Sequence, residues 1–497
     1  MAHPDAKVAT SRPAGRAQVT SLAEARHRTY NVTRSSRRSE GRFETGRIGV
    51  TYSCQRSLEN TTMRILHLSD IHFKAPQCLD PDHDRDRPYR TRLERDLVKR
   101  VATLGAIDAI MVGGDVAFKG DPQEYETARQ WLLDLASKCG CDSASIWVVP
   151  GNHDVNRKSC EDVPTMNAHA MVFQQKNDDD RLWMLQKQLD HNDTGQAIFH
   201  GHVAYNEFAK KMICQVYPGH LYWKQERELG PGVMLRIHGL TSTLLSGRNG
   251  KDDERGSLYL SPLQTIDPAP NVVNLTICHH PPDWLIDGDD VEDMLNARAM
   301  FQVFGHKHRQ RILESESYVR WGAGAVNPSH TDKQFEPGYN IIELEVAGEG
   351  AERRIDVKSH LFKYQAQPEG FQPIRKNDGQ EVFRHSIPFP AEIDGRADII
   401  GGGVVEAVVM ETISIAETAV PADTDAEASM GDMRTRHLVD RFWDLDASDR
   451  REIALELGLI TEEEIDLPEP QRYGIAFIRA SERTLLDRLE QLVDERG

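Results

Sequence analysis

Residues 64–72 read RILHLSDIH, a short apolar run that stops at Asp70-x-His72. A continuous apolar run bounded by polar turn residues is the pattern of a buried strand with its polar groups at the carboxyl end. Four further runs repeat it: AIMVGGD (109–115), SIWVVPGNHD (145–154), NLTICHHPP (274–282) and MFQVFGHKH (300–308). Amphipathic stretches at 92–104 and 123–137 separate the first three and predict crossover helices, so the chain is expected to build an α/β sheet. GYNIIELEV, from residue 338, predicts a closing strand, with further strand-like pieces to about 390.

The polar ends are the informative part. Asp70-x-His72, Gly114-Asp115, Gly151-Asn152-His153-Asp154, His279-His280 and Gly305-His306-x-His308 all fall where open α/β sheets bind ligands. Any one of them is weak evidence, since a single histidine beside a strand is more often structural. Together they supply carboxylates, an amide oxygen and several imidazoles. Side chains at i and i+2 of a strand share a face, which explains the D-x-H and H-x-H spacings. Such a donor set suits Mn, Fe or Zn, and a pair of these ions about 3.5–4 Å apart clamps a phosphoryl group.

In order and spacing these residues resemble the motifs of the calcineurin-like metallophosphoesterase superfamily, D-x-H, G-D, G-N-H-[DE], H and G-H-x-H, over roughly residues 63 to 345. The resemblance implies a four-layer α/β/β/α sandwich and two divalent transition metal ions. Asp70, His72 and His308 would hold one ion, Asn152, His279 and His306 the other, with Asp115 bridging. It further implies that His153 contacts the phosphate and protonates the leaving oxygen, that Asp154 orients the His153 ring, and that a metal-bridging hydroxide attacks phosphorus. His279 and His280, as strand neighbours, are expected on opposite faces, and the resemblance favours His279 as ligand, leaving His280 to support it or face substrate. His67 reads as a core histidine, and His200 and His202 as lid or substrate-contact residues. The runs GLTSTLL and RGSLYLSPLQ resemble the bacterial phosphodiesterase-like branch, which makes a phosphodiesterase the first expectation and a nuclease the alternative. A binding protein on a decayed scaffold is disfavoured, because no motif ligand is missing.

Composition bounds the rest. The chain has 497 residues, 39% hydrophobic and 28% charged, as expected of a soluble globular protein. No stretch approaches the roughly 18 apolar residues of a membrane span, and no secretory h-region is seen. Seven cysteines, odd in number and irregular in spacing, give no disulfide framework and suit a reducing, cytoplasmic setting. Cys139-Gly-Cys141 lacks a second pair at finger-like spacing. A net charge of −18 argues against a broad clamp on nucleic acid but leaves room for a local basic groove.

Four segments are expected. Residues 1–62 carry eleven Lys and Arg against five Asp and Glu without apolar periodicity, and read as a disordered or non-native extension, with Met63 a plausible true start. Residues 63–395 form the catalytic domain, with a helical insertion at about 160–225. A linker spans 396–432. Residues 433–497 form a small helical domain that resembles effector-associated adaptor domains of bacterial conflict and signalling systems, which implies a protein partner; a tail packed on the catalytic domain or a homodimer contact is the other reading. Within it, Ser448 is expected to cap a helix ending before Gly458, Thr461 and Glu464 to form a capping box, and one last helix to run from about Ile475 to Val493.

Overall fold

The structure, a computed structural model, describes residues 62–327, 337–389 and 433–497. The extension expected over 1–62, save its last residue, and the linker expected over 396–432 lie outside the described residues.

Each of the five apolar runs forms a strand: β1 (Met63–Leu68), β2 (Ala109–Val112), β3 (Ile146–Val148), β6 (Val272–Cys278) and β7 (Phe301–Phe304). Two amphipathic helices connect the first three, α1 (Arg87–Leu104) and α2 (Pro122–Cys139). Asp121 and Glu124 form a capping box at the start of α2, and Gly140, in the left-handed region at φ 71°, ends it. The 160–225 stretch is mostly helical, with α3 (Val163–Phe173), α4 (Asp178–Leu189), α5 (Asn192–Ile198) and α6 (Val203–Ala209). The second sheet is completed by β4 (Trp223–Gly230), β5 (Val233–Leu240), β8 (Arg311–Glu314) and β9 (Val319–Gly322), with α7 (Gly288–Arg298) between β6 and β7. β10 (Gly338–Ala347), β11 (Arg354–Ala366), β12 (Glu369–Pro373) and β13 (Phe383–Pro388) return to the first sheet.

Both sheets are mixed. The first runs β12-β11-β10-β1-β2-β3, with β13 also on β11; β1, β2 and β3 are parallel, and β10 joins β1 antiparallel with Ile65 opposite Ile342. The second runs β4-β5-β6-β7-β9-β8, and β5, β6, β7 and β9 are parallel. Apolar side chains of both sheets share one core, to which α1 adds Leu93 and Leu97 and α2 adds Leu132 and Leu135. A separate cluster buries Val291 and Leu295 of α7 with Leu240, Cys278 and Phe304. Parallel strands covered in this way carry continuous apolar sequence, which is why they were readable.

The carboxyl-terminal residues form four helices, α8 (Met433–Asp444), α9 (Ala447–Glu456), α10 (Glu469–Glu482) and α11 (Leu486–Arg496). Leu438, Val439, Phe442 and Trp443 meet Tyr473, Phe477, Leu489 and Leu492 in their own core. Asp446, not Ser448, caps α9 by accepting from the Asp449 amide. The single last helix expected from Ile475 is two helices, broken at Thr484 with φ 55°. The module packs on β3 and the turn after α6: the buried Arg436 donates to Met212 O at 2.8 Å and Ile146 O at 3.3 Å, and Lys211 pairs with Asp440 at 3.4 Å. No helix among the described residues is long and apolar enough to cross a membrane.

Candidate metal centre

After β1, β2 and β7 the backbone turns sharply. Asp70, His72, Asp115, His306 and His308 all sit in the left-handed region, with φ between 51° and 63°. Residues with a Cβ rarely adopt this conformation, and such strain gathers at functional sites. The loops after β1 and β2 are zipped together by backbone hydrogen bonds, Asp70 N to Gly114 O at 3.0 Å and Ile71 N to Asp115 O at 2.9 Å. The third loop closes on them because Gly151 has no side chain: a Cβ there would lie 2.2 Å from Asp115 Oδ1.

Two donor groups result. In the first, His308 Nε2 lies 2.9 Å from Asp70 Oδ1, and His72 Nε2 lies 3.9 Å from the same oxygen. In the second, Asn152 Oδ1 is ringed by His279 Nε2 at 3.2 Å, His280 Nε2 at 3.2 Å and His306 Nδ1 at 3.1 Å. Asp115 joins the groups, its Oδ2 lying 3.7 Å from His72 Nε2 and 3.4 Å from His279 Nε2. All seven residues expected as ligands are thus gathered at one place. A divalent ion with ligands at about 2.0–2.1 Å in tetrahedral array separates its donors by roughly 3.3–3.4 Å. The 3.1–3.2 Å spacings around Asn152 fit that demand, and the mixed N and O donors suit Zn, Mn or Fe.

Three expectations require correction. Strand pleating does not align the D-x-H and H-x-H pairs, because β1 ends at Leu68 and β7 at Phe304, and Asp70, His72, His306 and His308 lie beyond them in left-handed backbone. His279 and His280 do not face opposite ways; both rings converge on Asn152, because β6 ends at Cys278 and the strand's alternation ends with it. His279 Nδ1 is fixed by Gly113 O at 2.6 Å and His280 Nδ1 by Ser242 Oγ at 2.8 Å, so each ring turns its Nε2 inward. Asp154 does not orient the His153 ring. Its carboxylate accepts from the amides of Val116 (3.2 Å), Ala117 (2.9 Å) and Gly151 (2.9 Å) and from the Tyr125 hydroxyl (3.0 Å), clamping the loops that carry Asp115 and Asn152. His153 is held instead by its Nδ1–H on Phe118 O at 2.9 Å, with the Phe118 ring stacked on it at 5.0 Å. A carbonyl can only accept, so this contact places the proton on Nδ1 and leaves Nε2 for other partners.

The electrostatics follow from buried carboxylates among imidazoles. Burial alone would raise Asp70 and Asp115, but His308 holds Asp70, and His279 with His153 holds Asp115, well below the usual carboxylate range. Burial opposes charge on His279 too, yet the Asp115 carboxylate pushes it up to about 9. Burial dominates at His72, lowered to about 4, and at His306, lowered to about 3 with help from His279.

The remaining sequence candidates lie elsewhere. His67 is fully buried and contacts the Asn340 amide at 3.1 Å. His202 is buried with Nε2 2.9 Å from Thr243 Oγ1, and His200 lies 3.3 Å from Asp162. Cys139 and Cys141 are free and buried. Sequence reasoning passed over Trp284, whose ring meets His306 edge-on at 4.0 Å, although the signal was present in the PPDW that follows His280.

Comparison with known proteins bears on the family of the chain. Residues 63–310 match the family model for calcineurin-like phosphoesterases. The chain carries a calcineurin-like phosphoesterase domain. Metal-dependent hydrolysis of phosphate esters is the activity that this family implies. Residues 434–495 match the model of the GTPase-associated adaptor domain. The uncharacterized metallophosphoesterase-like protein YydB of Bacillus subtilis is 30% identical over 95 residues, which are 19% of this chain and 18% of that protein. The chain therefore spans under one fifth of the curated relative it matches. Among solved structures, vacuolar protein sorting 29 from Cryptosporidium parvum aligns at 12% identity and TM-score 0.30 over 66% of this chain and 99% of its own. A conserved uncharacterized protein, a predicted phosphoesterase, from Streptococcus pneumoniae aligns at 13% identity and TM-score 0.26 over 66% and 98%.

Proposed function

We propose that this chain is a phosphodiesterase working with two divalent transition metal ions, manganese, iron or zinc. Asp70, His72 and His308 would hold one ion and Asn152, His279 and His306 the other, with Asp115 shared and His280 a further donor on the second side. The observation that carries this reading is the position of Asp115, whose Oδ2 stands within 3.7 Å of a ring from each group. Ions bound there would draw charge from the phosphoryl oxygens and lower the pKa of water.

The chain's own residues supply the rest. His153, its Nδ1–H anchored on Phe118 O, would carry a second proton on Nε2 in its imidazolium form and hand that one to the departing oxygen. Asp154 keeps the loops bearing Asp115 and Asn152 in register. The test is metal analysis with a hydrolysis panel. Two equivalents of transition metal, faster turnover of bis(p-nitrophenyl) phosphate than of p-nitrophenyl phosphate, and loss of both metal and turnover in Asp115→Ala are expected. A metal-free, inert protein would overturn the proposal. His153→Ala should keep its metal and lose about 10²–10⁴-fold in turnover.

The adaptor-domain match favours an additional role, in which residues 434–495 recruit the phosphoesterase into a larger assembly. Co-elution of the full chain with a protein bearing a like domain tests it, and elution as separate species would count against it. A cytoplasmic setting belongs to the same reading and is supported by the six described cysteines, all free and buried.

A further inference from the structure

The loops that carry Asp115 and His153 continue past the proposed metal ligands and line an open cavity. Its volume is about 410 Å³, within the roughly 300–1,000 Å³ of small-molecule sites. Phe118, Lys119, His153, Arg157 and Lys158 line it. Lys119 lies four residues beyond Asp115, and Arg157 and Lys158 lie just beyond His153, so the cavity begins where the chemistry ends.

Its walls are fixed from behind. The buried Glu124 carboxylate accepts from the amides of Ala75 (3.1 Å), Phe118 (3.1 Å) and Lys119 (2.8 Å). The turn bearing Arg157 and Lys158 is held by Asn156, whose amide donates to Gly201 O at 2.8 Å and whose side-chain oxygen accepts from the Ser159 amide at 3.2 Å.

The cavity's charge runs against the protein's. In a chain of net charge −18, three cations line it, and Lys74 stands over the Phe118 ring at 4.1 Å. The lining acid, Asp121, caps α2, its carboxylate accepting from the Gln123 amide at 2.8 Å. Arg157 pairs with the exposed Asp252. Lys119 and Lys158 are exposed and have no carboxylate within ion-pair distance among the described residues.

We propose that this cavity is the leaving-group subsite and that it receives an arm carrying its own phosphate, so that the preferred substrates are phosphodiesters whose departing alcohol is itself a nucleotide. The inference rests on the phosphodiesterase reading and gives it a substrate class. His153 hands its proton to the departing oxygen, so the departing arm must lie on the His153 side, where the cavity is. With His153 doubly protonated, water adds to phosphorus as the bond from phosphorus to the arm's oxygen breaks, the Nε2 proton completes the alcohol, and the proton released by the water passes to solvent, from which Nε2 is reprotonated. The arm's second phosphate then rests between Lys119 and Lys158.

The test compares wild type with Lys119→Glu/Lys158→Glu on two substrates. One is a thymidine dinucleotide phosphorylated on its departing nucleoside, and the other is bis(p-nitrophenyl) phosphate, whose arms are uncharged. The variant should lower the ratio of kcat/KM for the first over the second by about tenfold or more, while Lys119→Arg/Lys158→Arg restores it. Calorimetry on metal-free protein should show thymidine 3′,5′-bisphosphate binding weakened by a similar factor. A ratio and a bisphosphate affinity both within twofold of wild type would overturn the subsite. Failure of wild type to cleave any diester would overturn the phosphodiesterase reading instead, and the calorimetry would still judge the cavity on its own.

Discussion

Gly151→Ala gives the most direct test of how the site is assembled. The added Cβ would lie 2.2 Å from Asp115 Oδ1 and 2.4 Å from Asp115 N, where ordinary contact begins near 3.4 Å. The two loops must therefore part by about 1 Å, the difference between the observed and ordinary separations. Neither can give easily, since across this contact His153 N donates to Asp115 Oδ1 at 2.8 Å, and Asp154 accepts from the amides of Val116 at 3.2 Å and Ala117 at 2.9 Å. Overpacking of this kind costs about 1–3 kcal/mol of stability, and for a domain of a few hundred residues that lowers Tm by no more than about 10 °C. The functional cost is larger. Reactive groups need placement within about 0.5 Å, and an error of 1 Å costs on the order of 10²-fold. The assay is a melt, a metal determination and turnover of bis(p-nitrophenyl) phosphate on the same sample. A folded variant with reduced metal and about 100-fold lower turnover is expected. Full metal and wild-type turnover would refute the argument that the glycine is required by the approach of Asp115.

Other expectations follow from the same contacts. In Asp154→Asn either orientation of the amide points its NH₂ at backbone N–H donors, so the variant should lose about 2–4 kcal/mol in denaturant unfolding together with bound metal; unchanged stability with a loss confined to kcat would return Asp154 to the role of orienting His153. Glu464 is lowered to about 2, chiefly by its hydrogen bonds to Arg479. A depressed carboxyl contributes stability above its unfolded value of about 4.3 and loses it as pH falls toward 2. The carboxyl-terminal helices should therefore weaken over that window in wild type, and Glu464→Gln should remove the dependence at a cost of about 1 kcal/mol at pH 7, the pair being partly screened by solvent. An acid titration of helix content that is identical in the two proteins would contradict this.

The strands and their polar tips were legible because parallel strands buried on both faces leave uninterrupted apolar runs that end abruptly. The donor positions were legible because D-x-H and H-x-H are unusual at strand ends, and several of them in order leave little freedom. Less legible was anything decided by backbone partners. The orientation of His280 depends on where β6 stops, one residue before His279, and on Ser242 from another loop. The role of Asp154 depends on three amide groups, which have no side-chain signature. In the carboxyl-terminal module, Asp446 and Ser448 are both good caps two residues apart, and the longer helix prevailed. The break at Thr484 was hidden because Leu485 and Leu486 continue the apolar face across it.

Five of the proposed metal ligands hold a backbone shape that costs roughly 1 kcal/mol or more apiece. These loop ends are thus the part of the chain that folding alone would not choose, and they should open more readily than the sheet beneath them. Ion uptake should then register as slowed amide exchange at 70–73, 114–118 and 306–308, while the interior of β1 stays unchanged. On that view the centre is completed by its cargo, and a cell short of the right metal would hold the same fold with a loosened rim.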